Sequence, residues 1–145
     1  MSTANAYQPP SGFSAFPPVI QNLLIINGLV FLAQQIPSIS GYLDVYGMLW
    51  PAGTPEVIGN TLIPQFYPWQ LLTSGFMHGG FGHIFFNLFG LWMFGAVVER
   101  TLGSKRFLIF FLVCILGASL VQLVTPSYPF WTGEIVRPIP TLGAS

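Results

Sequence analysis

Residues 76–100 read FMHGGFGHIFFNLFGLWMFGAVVER, and this stretch decides the fold. Two histidines and an asparagine stand in an apolar run too long for the core helix of a water-soluble domain. His83 and Asn87 are four residues apart, so a helix beginning near Phe81 stacks them on one face, about one turn from each other. In hydrocarbon an unpaired imidazole or amide costs several kcal/mol, so such groups face the interior of a helix bundle and mark a functional site by default. The cluster Gly79-Gly80-Phe81-Gly82 breaks the run just before that helix, and this break is the expected opening of the bundle to water.

Composition agrees with a membrane setting. Of 145 residues, 52% are hydrophobic, 16% aromatic and 6% charged, with a mean hydropathy of +0.67. A soluble domain carries roughly 25% charged residues, so this surface cannot mostly face water. The formal charge is zero, which gives no indication of a nucleic-acid partner. The single cysteine, Cys114, excludes an intramolecular disulfide and a cysteine-based zinc site, and is read as a packing residue. No lysine or arginine precedes Arg100, so a secretory leader with a charged start is not expected and the apolar segments are retained.

Outward from the central stretch, residues 1–18 are rich in Ser, Pro and small polar residues and read as a flexible leader to a transmembrane domain over 19–145. Val19 to Ile36 is the first span: eighteen residues give about 27 Å of helix. Asn27 lies in its middle and is expected to face protein. Pro37 to Gln65 mixes turn-formers with Tyr42, Tyr46 and Trp50, which suits an interfacial loop carrying short helices of its own. From Val57 to Val98 there is no charged residue. This run divides into an interfacial or partly inserted piece over 69–77, the glycine break, and a helix over about 81–98 in which Gly90 and Gly95 permit close helix approach.

Glu99, Arg100, Lys105 and Arg106 form a charge cluster around Gly103, and three of the four basic residues of the chain sit there. The positive-inside rule places this connection in the cytoplasm. A third span runs over 107–125, and the loop 126–140 then falls on the opposite side. The N-terminus is accordingly cytoplasmic.

With these features in order, the chain resembles the front half of the rhomboid intramembrane serine proteases. His83 and Asn87 fit that family's HxxxN motif on its second helix, with His78 five residues upstream at another recurrent position. Glu99 to Lys105, ERTLGSK, resembles the short acidic and basic turn after that helix. Gly143-Ala144-Ser145 fits the GxS start of the fourth helix, where the nucleophile lies. The resemblance implies an all-α membrane protein, a rhomboid-like helical bundle with three transmembrane helices and the start of a fourth, incomplete in this sequence. It implies a serine endopeptidase that cleaves transmembrane segments of membrane proteins within the lipid bilayer, with no metal, nucleotide or other cofactor and no nucleic acid. In a bacterial cell it would lie in the plasma membrane.

Peptide hydrolysis by serine needs a hydroxyl, a base for its proton, and donors aimed at the tetrahedral oxyanion. Under the resemblance Ser145 is the nucleophile, and Asn87 and His83 lie on the oxyanion side. His78 and Glu99 are auxiliary or structural. The general-base histidine of the family belongs to its sixth helix, and this chain has only His78 and His83, both before the serine. The expectation is therefore a truncated sequence that cannot hydrolyse peptides alone. An α-carboxylate at Ser145 would moreover place an anion at a site built for a developing one.

Three further readings accompany this. Many relatives have Trp-Arg in the first loop where this chain has Trp69-Gln70, which keeps hydrogen bonding but loses the charged fork, so weaker loop anchoring is expected. A second Gly-Ala-Ser, ending at Ser119, lies mid-helix and reads as small-residue packing or back-bonding to helix carbonyls. Without the GxS element, His83 and Asn87 read as interhelical glue. An inactive rhomboid-like protein binding membrane clients, or a small helical membrane adaptor, are the alternatives.

Overall fold

The computed structural model describes residues 16–52, 57–58, 61–124 and 140–141. Most of the leader, most of the 126–140 loop, and Gly143 and Ser145 lie outside the described residues. The elements are helices α1 (Pro18–Gln34) and α2 (Pro37–Gly47), a two-residue antiparallel ladder of β1 (Val57–Ile58) with β2 (Thr61–Leu62), and a short helix α3 (Gln70–Thr73) continued by a 3-10 turn (Ser74–Phe76). Then follow α4 (Phe81–Gly90), a π-helical turn (Leu91–Gly95), α5 (Ala96–Leu102) and α6 (Ser104–Val124).

Proline sets the first boundaries. Pro18 opens α1 at a position where its missing N–H costs nothing. Pro37 removes a donor and restricts Ile36, which is extended at ψ 114°, so α2 leaves α1 at 116°. By length and composition α4 to α5 (Phe81–Leu102) and α6 (Ser104–Leu123) can each cross a membrane. With 17 residues, about 25 Å, α1 reaches spanning length only when counted with α2. The first span thus ends two residues earlier than expected, and the interfacial loop begins with a helix, in line with the short helices expected in it.

The expected break over residues 99–106 shrinks to a single residue. Gly103, at φ +80° and ψ 154°, is the one residue among those described with φ between +20° and +160°, a conformation that costs a side chain about 1–3 kcal/mol. Helix α5 ends on it, with the Gly103 N–H bonded to the Glu99 carbonyl at 2.8 Å, and α6 restarts at Ser104. The basic residues Lys105 and Arg106 are therefore helical.

Polarity is distributed the opposite way to a soluble protein. Asn27, Gln70, Ser74, His78, Glu99 and Ser119 are buried, while Leu29, Leu32, Phe86 and Val121 are each more than 60% exposed. Such a distribution fits a membrane protein, since apolar surface of this extent would not persist in water. Cys114 belongs to this outer surface of α6 and does not pack in the interior as expected.

The core is a cluster of Ile20, Leu23, Ala96 and Phe107, flanked by Phe76 and Phe111. Its central constraint is Glu99. The carboxylate, 2% exposed, accepts from Val19 N–H at 3.0 Å, Ile20 N–H at 2.8 Å and Ser104 Oγ–H at 2.7 Å. The first two are orphan donors at the start of α1, which carries no side-chain cap of its own. From the sequence alone Glu99 sits unfavourably at the end of its own helix; it serves the start of another. This fixes α1 antiparallel to α4 and α5.

The π-helical turn makes that contact geometrically consistent. It inserts one residue into the α repeat, so Ala96 shares the buried face of Ile84, from which an unbroken helix would turn it by about 120°. At Gly95 a Cβ would come within 2.5 Å of Ile20 Cδ1, whereas at Gly90 nothing lies within 4 Å. Gly95→Ala is expected to destabilise the bundle by about 1–3 kcal/mol through overpacking, and Gly90→Ala to cause no loss. Thermal unfolding of the detergent-solubilised protein, with the two variants side by side, checks this; equal behaviour would contradict it.

Candidate functional site

The buried stripe of α1 runs Ile20, Leu23 and Asn27, and the half-buried Gln34 stands at its end. Gln34 follows Asn27 by two turns, only about 20° off the same line. Asn27 is 5% exposed and donates to the Leu23 carbonyl at 2.7 Å, so it faces protein as expected. It lines a cavity of about 290 Å³ together with His78, Asn87, Leu91 and Phe111.

His78 lies in the extended break between the 3-10 turn and α4, where its backbone has no helical partner. Gln34 supplies one. The His78 N–H donates to Gln34 Oε1 at 3.1 Å and Gln34 Nε2 donates to the His78 carbonyl at 3.2 Å. The ring of Phe31 meets the His78 ring edge-on at 6.4 Å. Burial first, then the neighbouring His83, lower the His78 pKa below the ordinary histidine value, against a hydrogen bond to the Phe76 backbone that raises it. Burial thus favours the neutral form of His78, and its Nδ1 is buried without a partner among the described residues.

His83 enters α4 in the first turn. With Gly80 as N-cap and no capping side chain, the His83 ring reaches back so that Nδ1 accepts the Gly79 N–H at 3.1 Å, much as a third-position Glu does in a capping box. A backbone N–H can only donate, so Nδ1 carries no proton. The neutral ring then carries its hydrogen on Nε2. That atom is buried and has no acceptor among the described residues. The His78 and His83 rings meet edge-on with centroids 5.4 Å apart.

The structure therefore brings His78, His83 and Asn87 together at one end of the bundle, Asn87 one turn below His83 in regular α-helix. Glu99 is not among them. It follows His83 by sixteen residues, about 24 Å along the helix, and works at the far end. Ser119 does not back-bond: its Oγ is 3.4 Å from Ser74 Oγ, a buried contact between α6 and the 3-10 turn.

The loop that covers this end is held by Gln70, fully buried. Its Oε1 accepts from the Trp50 and Tyr67 N–H groups, each at 3.2 Å, and its Nε2 donates to the carbonyls of Val45 at 3.1 Å and Gln65 at 3.3 Å. The amide thus uses its whole hydrogen-bonding capacity. Anchoring is not weakened by the missing guanidinium as expected; an uncharged side chain meets four backbone groups without burying a charge. Thr141 exchanges two backbone bonds with Leu49, at 3.2 and 2.9 Å, in the same loop.

Sequence reasoning missed Gln34, the Ser74 and Ser119 pair, and the reach of Gln70. The available signal for Gln34 was its spacing of seven from Asn27 on a helix where polar residues are costly.

These features define a polytopic helical membrane protein with a cavity bordered by His78 and Asn87. A family model described as the Rhomboid domain matches residues 65–145. One curated relative, the rhomboid protease GluP of Bacillus subtilis (strain 168), is 41% identical over 70 residues, which make up 48% of this chain and 14% of that relative. The chain belongs to the rhomboid family, and the matched stretch spans about one seventh of that relative's length.

Replacing Gln70 by Ala strands two carbonyls and two N–H groups in the loop. Gln70→Ala is expected to cost about 2–3 kcal/mol, read as a lowered unfolding midpoint in detergent; an unchanged midpoint would contradict the anchoring role.

Proposed function

We propose that this chain is the N-terminal portion of an intramembrane serine endopeptidase that cleaves transmembrane segments of other membrane proteins near the bilayer surface. In this reading Ser145 Oγ attacks the scissile carbonyl. The Ser145 N–H, the Asn87 amide and His83 Nε2–H donate to the oxyanion that forms. The observation that carries the reading is His83. Its Nδ1 is engaged by Gly79, which leaves Nε2–H as a buried donor without an acceptor, one helical turn from Asn87. A group held that way suits stabilisation of developing negative charge and cannot accept the serine proton at Nε2. In the rhomboid pattern the general base is a histidine of a later helix, so this reading assigns it outside these 145 residues and takes the 145-residue portion alone to be inactive.

Two observations support the placement of the nucleophile. The family match extends to residue 145, and Thr141, four residues before the serine, pairs with the loop that covers the His78 end. The orientation proposed for the bundle puts the Glu99 end, with Arg100, Lys105 and Arg106, in the cytoplasm and the His83 end on the other side. The family relationship and a curated relative named as a protease favour this reading over a client-binding protein.

Cleavage of a transmembrane reporter by the full-length protein in proteoliposomes provides the test. Ser145→Ala is expected to abolish cleavage, and Asn87→Ala to lower kcat by about 10² to 10³ with the fold retained. Ser145-independent cleavage would overturn the assignment. So would Ser145-dependent cleavage by the isolated 145-residue portion, as regards the missing base.

A further inference from the structure

We propose that Gln34 is a positioning residue for His83: by holding the peptide between His78 and Gly79 in one orientation, it keeps the His83 hydrogen on Nε2. This rests on the proteolytic reading above and assigns a role to a residue of α1 far from the motifs that suggested it.

The link is a single planar unit. The His78 carbonyl and the Gly79 N–H belong to the same trans peptide and point in opposite directions. Gln34 Nε2 donates to that carbonyl at 3.2 Å, and the N–H on the other side donates to His83 Nδ1 at 3.1 Å. A second bond, from His78 N–H to Gln34 Oε1 at 3.1 Å, makes the amide behave as a neighbouring strand would, pairing both backbone groups of one residue. The two residues are 44 apart in sequence, so nothing local replaces them.

The segment needs such a clamp. Gly79 and Gly80 follow directly, and glycine permits peptide orientations that other residues resist. The edge-on contacts of Phe31 with His78 and with Phe81, both at 6.4 Å, hold the break against α1 but do not specify which way a peptide plane faces. Without the Gln34 amide the plane can turn, Nδ1 loses its donor, and the imidazole hydrogen is free to occupy either nitrogen. Each ring that moves it to Nδ1 presents a lone pair where the reaction needs a donor.

Gln34 itself is held by the fold. It continues the Ile20, Leu23 and Asn27 stripe, and that stripe is fixed by Glu99 at the opposite end of α1. The start of one helix and the tautomer of a histidine beyond its end are thereby coupled through a rigid rod of 17 residues.

The experiment uses the full-length protein in lipid bilayers, with ring-labelled histidine. The 15N shifts of His83 report its tautomer and proteolysis of a transmembrane reporter gives kcat and KM. Gln34→Leu removes both bonds while keeping an apolar stem. Gln34→Glu keeps an acceptor for the His78 N–H but sets an oxygen against the His78 carbonyl. Both variants are expected to shift His83 from Nε2–H alone to a mixture of tautomers, and to lower kcat by about tenfold or more, toward the loss of a whole donor, with KM little changed. Should Gln34→Leu fail to fold, Gln34→Glu carries the test. A His83 that stays Nε2–H in the variants would overturn the inference even if kcat fell, since that pattern describes general loosening. An unchanged kcat alongside a shifted tautomer would overturn it too. The Ser145→Ala variant reports separately on the proteolytic reading, and the tautomer shift decides the Gln34 role whichever way that control falls.

Discussion

A carboxylate buried in a membrane bundle needs donors, and the start of a helix needs acceptors; Glu99 and α1 meet both demands with one contact. Three hydrogen bonds converge on Glu99, two of them from backbone donors that have no partner within their own helix. In water such donors would be solvated, but near a hydrocarbon layer they must be met by protein. The third bond, from Ser104, brings in the first residue of α6. One side chain therefore joins the beginnings of two helices to the end of a third, and the direction of every long helix follows from it.

The other end of the bundle is built on the same physics with amides in place of a charge. Gln34 pairs the backbone of His78 and Gln70 pairs four backbone groups in α2 and the loop after it, so side chains satisfy these irregular segments. Uncharged amides suit this role because each supplies two donors and an acceptor without the desolvation cost of an ion. The exception is the pair of imidazole nitrogens, His78 Nδ1 and His83 Nε2, which stay unpaired among the described residues. His78 borders the cavity, and in the proposed reading the unpaired His83 Nε2–H serves the scissile carbonyl of a membrane segment.

Much of this was legible in the sequence. The uncharged run, the glycine break and the four-residue spacing of His83 and Asn87 gave a membrane bundle and the face on which its polar pair stands. The lone cluster of basic residues located the turn before α6. Other features were hidden for physical reasons. The π-helical turn at Leu91–Gly95 changes which residues share a face, and hydropathy is blind to it because both sides are apolar. The backbone donors that Glu99 meets lie 80 and 79 residues away, beyond the reach of local pattern. Gln70 looked like a weakened arginine because the loop carbonyls it meets could not be foreseen. Gln34 stands at a helix end, and only the path of the break past that end gives it a partner.

The helix arrangement depends most on α1 being held by Glu99, and amide hydrogen exchange of Val19 and Ile20 in the Glu99→Gln variant tests this most directly. The substituted side chain turns an N–H2 group toward donors, so at least one backbone bond is lost. Exchange at Val19 and Ile20 is expected to accelerate well beyond that at mid-helix residues such as Leu24, together with a loss of about 1–3 kcal/mol in stability. Protection of both amides equal to that of the unaltered protein would contradict the account.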